Sequence, residues 1–374
     1  MKIKSLKSIP WKHISYALPG IILFTLAILC WTHTPADISV SERRKLSQIP
    51  ELSQENLLSG QYMQDFDAYS MDQFPDRDGF RSLQSVFQTY ALGTKDVNGV
   101  YWQDGYSAKL DYPLQENSLN YALSCFQSIY ENYLNGTNVY IYTSAVPDKG
   151  YFLAESTGHP SMDYEKLLNE FASGMPFSHY ISLTDTLHLT DYYKTDSHWR
   201  QEKIIPVAQR LLGEMGYPQT DLSFTQKDTG IRFQGVYANQ SALPVAKEPI
   251  YYLTNDLLKQ CQVWNAETNE TTGIYAAEKL SNPSGDPYDF FLSGACPLLT
   301  IENPSAQTDR ELVIFRDSFS SSLAPLLMGA YQKITLVDLR YLSSSFLSEF
   351  ITFDKQDVLF LYSTTLLNTS YTLK

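Results

Sequence analysis

The chain has 374 residues, of which 43% are hydrophobic and only 18% charged, enough for one large domain or two ordinary ones. Its formal net charge is −13, and residues 1 to 31 carry four lysines and no Asp or Glu, so the remainder is more acidic still. Such a surface repels phosphate backbones, which argues against a nucleic-acid partner.

Lys2, Lys4, Lys7 and Lys12 precede an uncharged run from Ile14 to Trp31. The run is near the lower length limit for a membrane-spanning helix, and its Pro19 and Gly20 are tolerated in such helices. A signal peptide has the same charge order. Against cleavage, no small residues precede a cut after Trp31, and bulky Leu29 spoils Ala27-Ile28-Leu29-Cys30 as a lipid-attachment box. The expectation is an uncleaved single-pass anchor in the cell membrane: residues 1–12 a cytoplasmic basic segment, 13–32 the transmembrane helix, and the rest extracytoplasmic under the positive-inside rule.

Residues 33–100 read as a stalk and wrapping segment, with Pro35 and Pro50 early and a helical pattern that ends at Pro75 within Met71–Asp78. The main domain is expected over 101–374. Val100-Tyr101-Trp102 followed by Gln103-Asp104-Gly105-Tyr106 is a strand and turn signal. Leu119, Ala122, Leu123, Phe126, Ile129, Tyr130 and Tyr133 recur at helical spacing, and Asn135-Gly136 stops that helix. Val139 to Tyr142 then reads as a strand, and the order repeats with a helix near 162–173 before Tyr180 to Leu183.

Leu312 to Phe315, Ile334 to Val337 and Val358 to Tyr362 are apolar strands separated by helix-length segments. Buried strands alternating with helices predict an α/β fold with a mainly parallel sheet covered on both faces. Residues 217–309 break the rhythm and read as a β-rich insertion, with Ile250 to Leu253 and Val263-Trp264 as strands. Cys30, Cys125, Cys261 and Cys296 are too few and too scattered for a disulfide framework or a zinc site. Cys261 and Cys296 can bridge in an oxidising compartment or remain buried free thiols.

Thr195-Asp196-Ser197-His198-Trp199 places a carboxylate two residues before an imidazole, from where it can reach Nδ1 within one loop. The alternative is that Thr195, Asp196 or Ser197 caps a helix running from about His198 toward Leu212, with Pro206 kinking or restarting it. His159, His179 and His188 have no such partner, and no metal spacing is recognised. Ser318 follows the buried strand and precedes a helix-like stretch from Leu323 to Leu327, the strand-to-helix turn that exposes a nucleophile beside free N–H groups. The competing reading is that Asp317 and Ser318 only cap that helix. Tyr193 and Trp199 flank the Asp-x-His pair and are the first aromatics to test for sugar stacking; the alternative is core packing around the loop.

Tyr192-Tyr193-Lys194-Thr195-Asp196-Ser197-His198-Trp199, Phe74-Pro75-Asp76-Arg77-Asp78, Phe290-Phe291-Leu292-Ser293-Gly294, and Arg316-Asp317-Ser318-Phe319 with Val337-Asp338-Leu339-Arg340-Tyr341 together resemble the DHHW protein family. The resemblance covers most of the chain beyond the anchor. That family is similar to the SGNH-hydrolase-like domains of alginate O-acetyltransferases, in which an Asp-x-His pair precedes the serine. The resemblance implies an SGNH-hydrolase-like three-layer α/β/α fold, with Ser318 as nucleophile, His198 as general base and Asp196 as its orienter. It also implies an acyl-enzyme, a cell-surface polysaccharide hydroxyl or water as acceptor, a multipass membrane O-acyltransferase as partner, and no cofactor or metal.

Gly235, in Phe233-Gln234-Gly235-Val236, matches a family glycine and is the expected oxyanion donor beside Ser318, with Tyr193, Trp199 and Arg316 as expected substrate contacts. The sequence departs from the family in four places, one of them the residues after Trp199, which are unlike the family's. Ser197 replaces a His, Ser293-Gly294-Ala295 stands where Gly-Gly-Asn is common, and Ser321 stands where Asn is common. Loss of one oxyanion donor costs on the order of 10² to 10³ in rate. The alternative to an O-acetyltransferase or acetylesterase is therefore a catalytically silent glycan-binding or scaffold subunit.

Overall fold

The computed structural model describes residues 11–374 apart from 43, 283 and 284. The described residues divide into two units between residues 84 and 85, whereas the sequence boundary is expected at residue 100. The physical reason is that Val97 and Val100 are buried and Val100–Gln103 forms a hairpin with Tyr106–Lys109. Lys2, Lys4 and Lys7 lie outside the described residues.

In the first unit, Trp11–Thr32 is one helix of 22 residues. Its Ser15–Thr32 part has a mean hydropathy of 1.7 and none of it is buried, so by length and composition it is able to cross a membrane. Two short helices follow, Gln54–Ser59, capped by the Ser53 side chain and closed by left-handed Gly60, and Gln61–Asp72. The second stops before Pro75, as the sequence predicts. Arg77 pairs with Glu42, and Arg44 chelates Asp72, so the Phe74–Asp78 segment serves the packing of this unit.

The second unit is built on an eight-stranded sheet: β1 (Tyr140–Val146), β2 (His179–Tyr180), β3 (Gln262–Asn265), β4 (Glu270–Thr272), β5 (Leu298–Glu302), β6 (Glu311–Arg316), β7 (Lys333–Val337) and β8 (Asp357–Ser363). The spatial order is β4-β3-β5-β7-β6-β8-β1-β2. The run β7-β6-β8-β1-β2 is parallel, and β5, β3 and β4 extend it antiparallel. The fold is thus α/β with a mixed sheet.

Alternation along β6 shows why both faces are covered. Leu312 and Ile314 enter one core with Val207, Leu211, Leu323 and Leu327, whereas Val313 and Phe315 enter the other with Leu119, Phe126, Leu167 and Phe171. The first face is covered by helices Ile205–Glu214 and Ser320–Leu327, the second by Glu116–Ile129 and Tyr164–Ser173. Each fully buried Leu or Phe contributes roughly 1.5–3 kcal/mol before entropy is counted. Pro206 sits in the first turn of its helix, where it starts the helix and does not kink it.

Residues 217–309 differ from the expected insertion. Thr225–Phe233 and Glu248–Thr254 do pair as a separate ribbon, but β3, β4 and β5 join the main sheet. Cys261 and Cys296 are buried free thiols, not a bridge, and burial raises both above the ordinary thiol range.

Candidate active site

The parallel strands β6, β8 and β1 end side by side at Arg316, Ser363 and Val146. Their tips are tied: the Asp317 carboxylate accepts from the Ser363 and Phe319 N–H groups, and Thr364 donates to Asp148. The capping expected of Asp317 is not found: its carboxylate bonds the N–H of Phe319, the residue before the helix Ser320–Leu327, and that N-cap position carries no side-chain cap. Ser318 has a different orientation. It is partly exposed beyond the strand end, in the crevice where α/β sheets bind ligands.

The Asp-x-His pair comes from a tight turn, not from a helix. Tyr192 and Trp199 form an antiparallel bridge at its base, and the Tyr193 N–H donates to the His198 carbonyl. Inside the turn, Asp196 Oδ1 accepts from the His198 backbone N–H at 3.1 Å and lies 2.6 Å from His198 Nδ1. His198 Nε2 lies 2.7 Å from Ser318 Oγ. The three side chains thus form one hydrogen-bonded series across 120 residues of chain. With the Nδ1–H tautomer fixed by Asp196, Nε2 is the acceptor for the serine hydroxyl.

The turn is docked as well as closed. Trp199 Nε1 donates to the Phe319 carbonyl and to Ser322 Oγ, fastening the base of the turn to the start of the helix behind Ser318. The second Asp196 oxygen accepts from the Val236 N–H at 2.8 Å. The Tyr288 ring lies parallel to the His198 ring, with centroids 3.8 Å apart and planes 8° apart, and its hydroxyl bonds Ser322. Asp196 is fully buried and His198 8% exposed. Burial works against the imidazolium, but the Asp196 charge and hydrogen bond, with the charges of Asp286 and Asp317, outweigh it and raise the His198 pKa above 6.5.

Four expected roles need correction. The Gly235 N–H donates to Thr195 Oγ1 and is not aimed at an oxyanion. Gly235 is required for another reason: a Cβ there would lie 2.2 Å from the Asp196 Cβ. Tyr193 and Trp199 are fully buried, so neither presents a stacking face to a sugar. Tyr193 packs edge-on against Phe233 and Tyr288. Arg316 is equally buried, donating to Ser321 Oγ at 2.7 Å and toward the Gly294 carbonyl at 3.4 Å, with its Nε unpaired. Ser321, one turn beyond Ser318, accepts from that guanidinium.

Tyr288, Ser322 and Glu248 are residues that sequence reading does not reach, and of Val236 it gives only the place beside Gly235. Glu248 accepts from the Lys194 and Thr195 N–H groups and from the Thr195 hydroxyl, holding the entrance to the turn. None belongs to a spaced motif, and each comes from a segment remote from the pair it supports.

No family model matches the chain, and no curated protein sequence matches it. Solved structures do. A DHHW family protein from Eubacterium siraeum aligns at 20% identity over 73% of this chain and 93% of that one, with a TM-score of 0.58. Bacillus cereus PatB1, solved with a sulfonyl adduct, aligns at 18% identity over 72% and 97%, with a TM-score of 0.55. The O-acetyltransferase domain of Pseudomonas putida AlgJ aligns at 13% identity over 72% and 92%, with a TM-score of 0.44. The α/β architecture described above is the fold that this chain shares with a DHHW family protein and with PatB1.

Proposed function

We propose that the protein is a membrane-anchored, extracytoplasmic acyl-transfer enzyme, an O-acetyltransferase or acetylesterase of the SGNH-like kind, acting on a cell-surface polysaccharide. The observation that carries this reading is the series Asp196–His198–Ser318, with heavy-atom separations of 2.6 and 2.7 Å. Nucleophile, base and orienter stand at the spacing nucleophilic catalysis requires.

In the forward step, Ser318 Oγ attacks the acyl carbonyl and its proton passes to His198 Nε2. Asp196 stabilises the imidazolium without taking the proton. Collapse breaks the bond to the donor's leaving group, which receives the proton from His198 and leaves an acyl ester on Ser318. An acceptor hydroxyl then gives its proton to His198 and attacks that ester; the second collapse breaks the bond between Ser318 Oγ and the acyl carbon, and His198 returns the proton to Ser318. A sugar hydroxyl gives transfer and water gives hydrolysis. The Phe319, Ser320 and Ser321 N–H groups are already committed to Asp317 and Ser318 oxygens, so the oxyanion donor assigned here is the Ser318 N–H.

The apolar helix Trp11–Thr32 supports the anchor, and the lysines before it support a cytoplasmic amino terminus. A multipass membrane O-acyltransferase supplying the acyl group is the partner this reading calls for. The sulfonyl adduct reported for PatB1 supports reactive chemistry on this fold, because sulfonyl reagents capture nucleophiles. Ester hydrolysis and polysaccharide acylation are measured with wild type and with folded Ser318→Ala. The enzyme reading expects loss of both, and unchanged rates refute it. A second reading, a catalytically silent glycan-binding or scaffold subunit, is favoured by one observation: the Gly235 N–H is spent on Thr195. It expects those unchanged rates.

A further inference from the structure

Lys149, in the first turn of the helix that follows β1, is 1% exposed. A lysine buried to that degree is ordinarily paired with a carboxylate. Among the described residues no carboxylate reaches its ammonium. Its Nζ lies 2.9 Å from the Tyr193 carbonyl, 3.2 Å from the Lys194 carbonyl and 3.4 Å from Ser107 Oγ, and 5.2 Å from the centre of the Tyr237 ring. The neighbouring Asp148 is held by Tyr164, Thr364 and the Gly150 N–H.

The two carbonyls belong to the segment that leads from Tyr192 into the Asp196 turn. On the same stretch, the Lys194 and Thr195 N–H groups donate to Glu248. The Tyr193–Thr195 backbone is therefore gripped by a cation at its carbonyls and by a carboxylate at its amides. The charges acting on the ammonium are those of Asp196, Glu248 and Asp148, from the turn, the ribbon and the residue before its own helix. Those acting on His198 are Asp196, Asp286 and Asp317. Asp196 is common to both sets.

We propose that Lys149 is a positioning residue: its side chain holds the turn that carries Asp196, and its positive charge shares the Asp196 carboxylate with His198. The role in catalysis rests on the function proposed above, whereas the electrostatic link does not. A cation near the carboxylate makes the imidazolium less favourable, so Lys149 keeps His198 neutral at lower pH than Asp196 alone would allow. Desolvation lowers the ammonium to about 7.

The experiment is an NMR titration of the His198 ring in the full chain, wild type and Lys149→Met, with Ser318 labelling by a fluorophosphonate followed over the same pH range. Lys149→Met is expected to raise the His198 transition by roughly half a pH unit or more. Labelling at pH 6.5 then falls about threefold and recovers part of the way at alkaline pH. An unmoved transition in a folded variant overturns the proposal. If Lys149→Met does not fold, Lys149→Arg decides: a retained cation should leave the His198 transition and Ser318 labelling close to wild type, and a His198 transition raised by roughly half a pH unit or more overturns the proposal. A protein that is not labelled at all but shows the shift keeps the electrostatic link and loses the catalytic reading, so the two failures are distinguishable.

Discussion

The acid–base side of the site and the nucleophile's surroundings are built to different standards. Asp196 receives the Val236 N–H, the His198 N–H and the His198 ring, and the turn that bears it is closed by a bridge and docked through Trp199. Around Ser318 the nearby donors are spent internally: Arg316 on Ser321, Phe319 on Asp317, and the Ser320 and Ser321 N–H groups on the Asp317 and Ser318 carbonyls. The difference teaches that orientation of the base is over-determined, while stabilisation of the oxyanion depends on few groups. Changes on the first side should act through pH and rate together, and changes on the second through stability or rate alone.

Asp196→Asn should have the largest effect. It keeps the shape of the turn but loses the charge that favours the imidazolium, and a fall on the order of 10⁴ in fluorophosphonate labelling rate is expected. Gly235→Ala comes next. The new Cβ must displace Asp196, so labelling should fall on the order of 10²-fold with about 1–3 kcal/mol lost in chemical denaturation. A fall of that size with unchanged stability would point instead to a direct role for Gly235.

Tyr288→Leu removes the stacked ring. The acid limb of the labelling profile should move down by roughly half a pH unit, while Tyr288→Phe keeps it in place. Ser321→Ala should have the smallest effect on rate: it leaves a buried Arg316 donor without its acceptor, costs about 1–3 kcal/mol in stability, and leaves the acid limb where it was. A moved limb there would break the distinction between the two sides.

The parallel part of the fold is legible because β6, β7 and β8 are continuous apolar runs that burial on two faces demands. The antiparallel part is not. β3, β4 and β5 lie in a polar, turn-rich stretch, and their place in the sheet is set by the non-local pairing of β5 with β7 and of β3 with β5, which no local pattern records. The same division holds at the site. Asp196 and His198 are legible because both roles fit inside one turn, and Ser318 because it follows a buried strand. Tyr288, Glu248 and Lys149 reach the turn from elsewhere in the chain, so spacing carries no trace of them. Gly235 shows the limit: its identity is visible in sequence, but the partner of its N–H is not, and the conformational need it meets is the close approach to Asp196. Tyr193, Trp199 and Arg316 fail as surface contacts because a residue type suited to a ligand is equally suited to a core.

The pH dependence of Ser318 labelling tests the central claim most directly. With the full chain, a fluorophosphonate and mass spectrometry of the modified peptide, the adduct should map to Ser318 and disappear in folded His198→Ala. Its rate should rise with pH along an acid limb above 6.5, because the raised pKa of His198 delays the neutral base. A wild-type protein that stays unlabelled, or a Ser318 adduct that forms at the same rate without His198, would contradict the account.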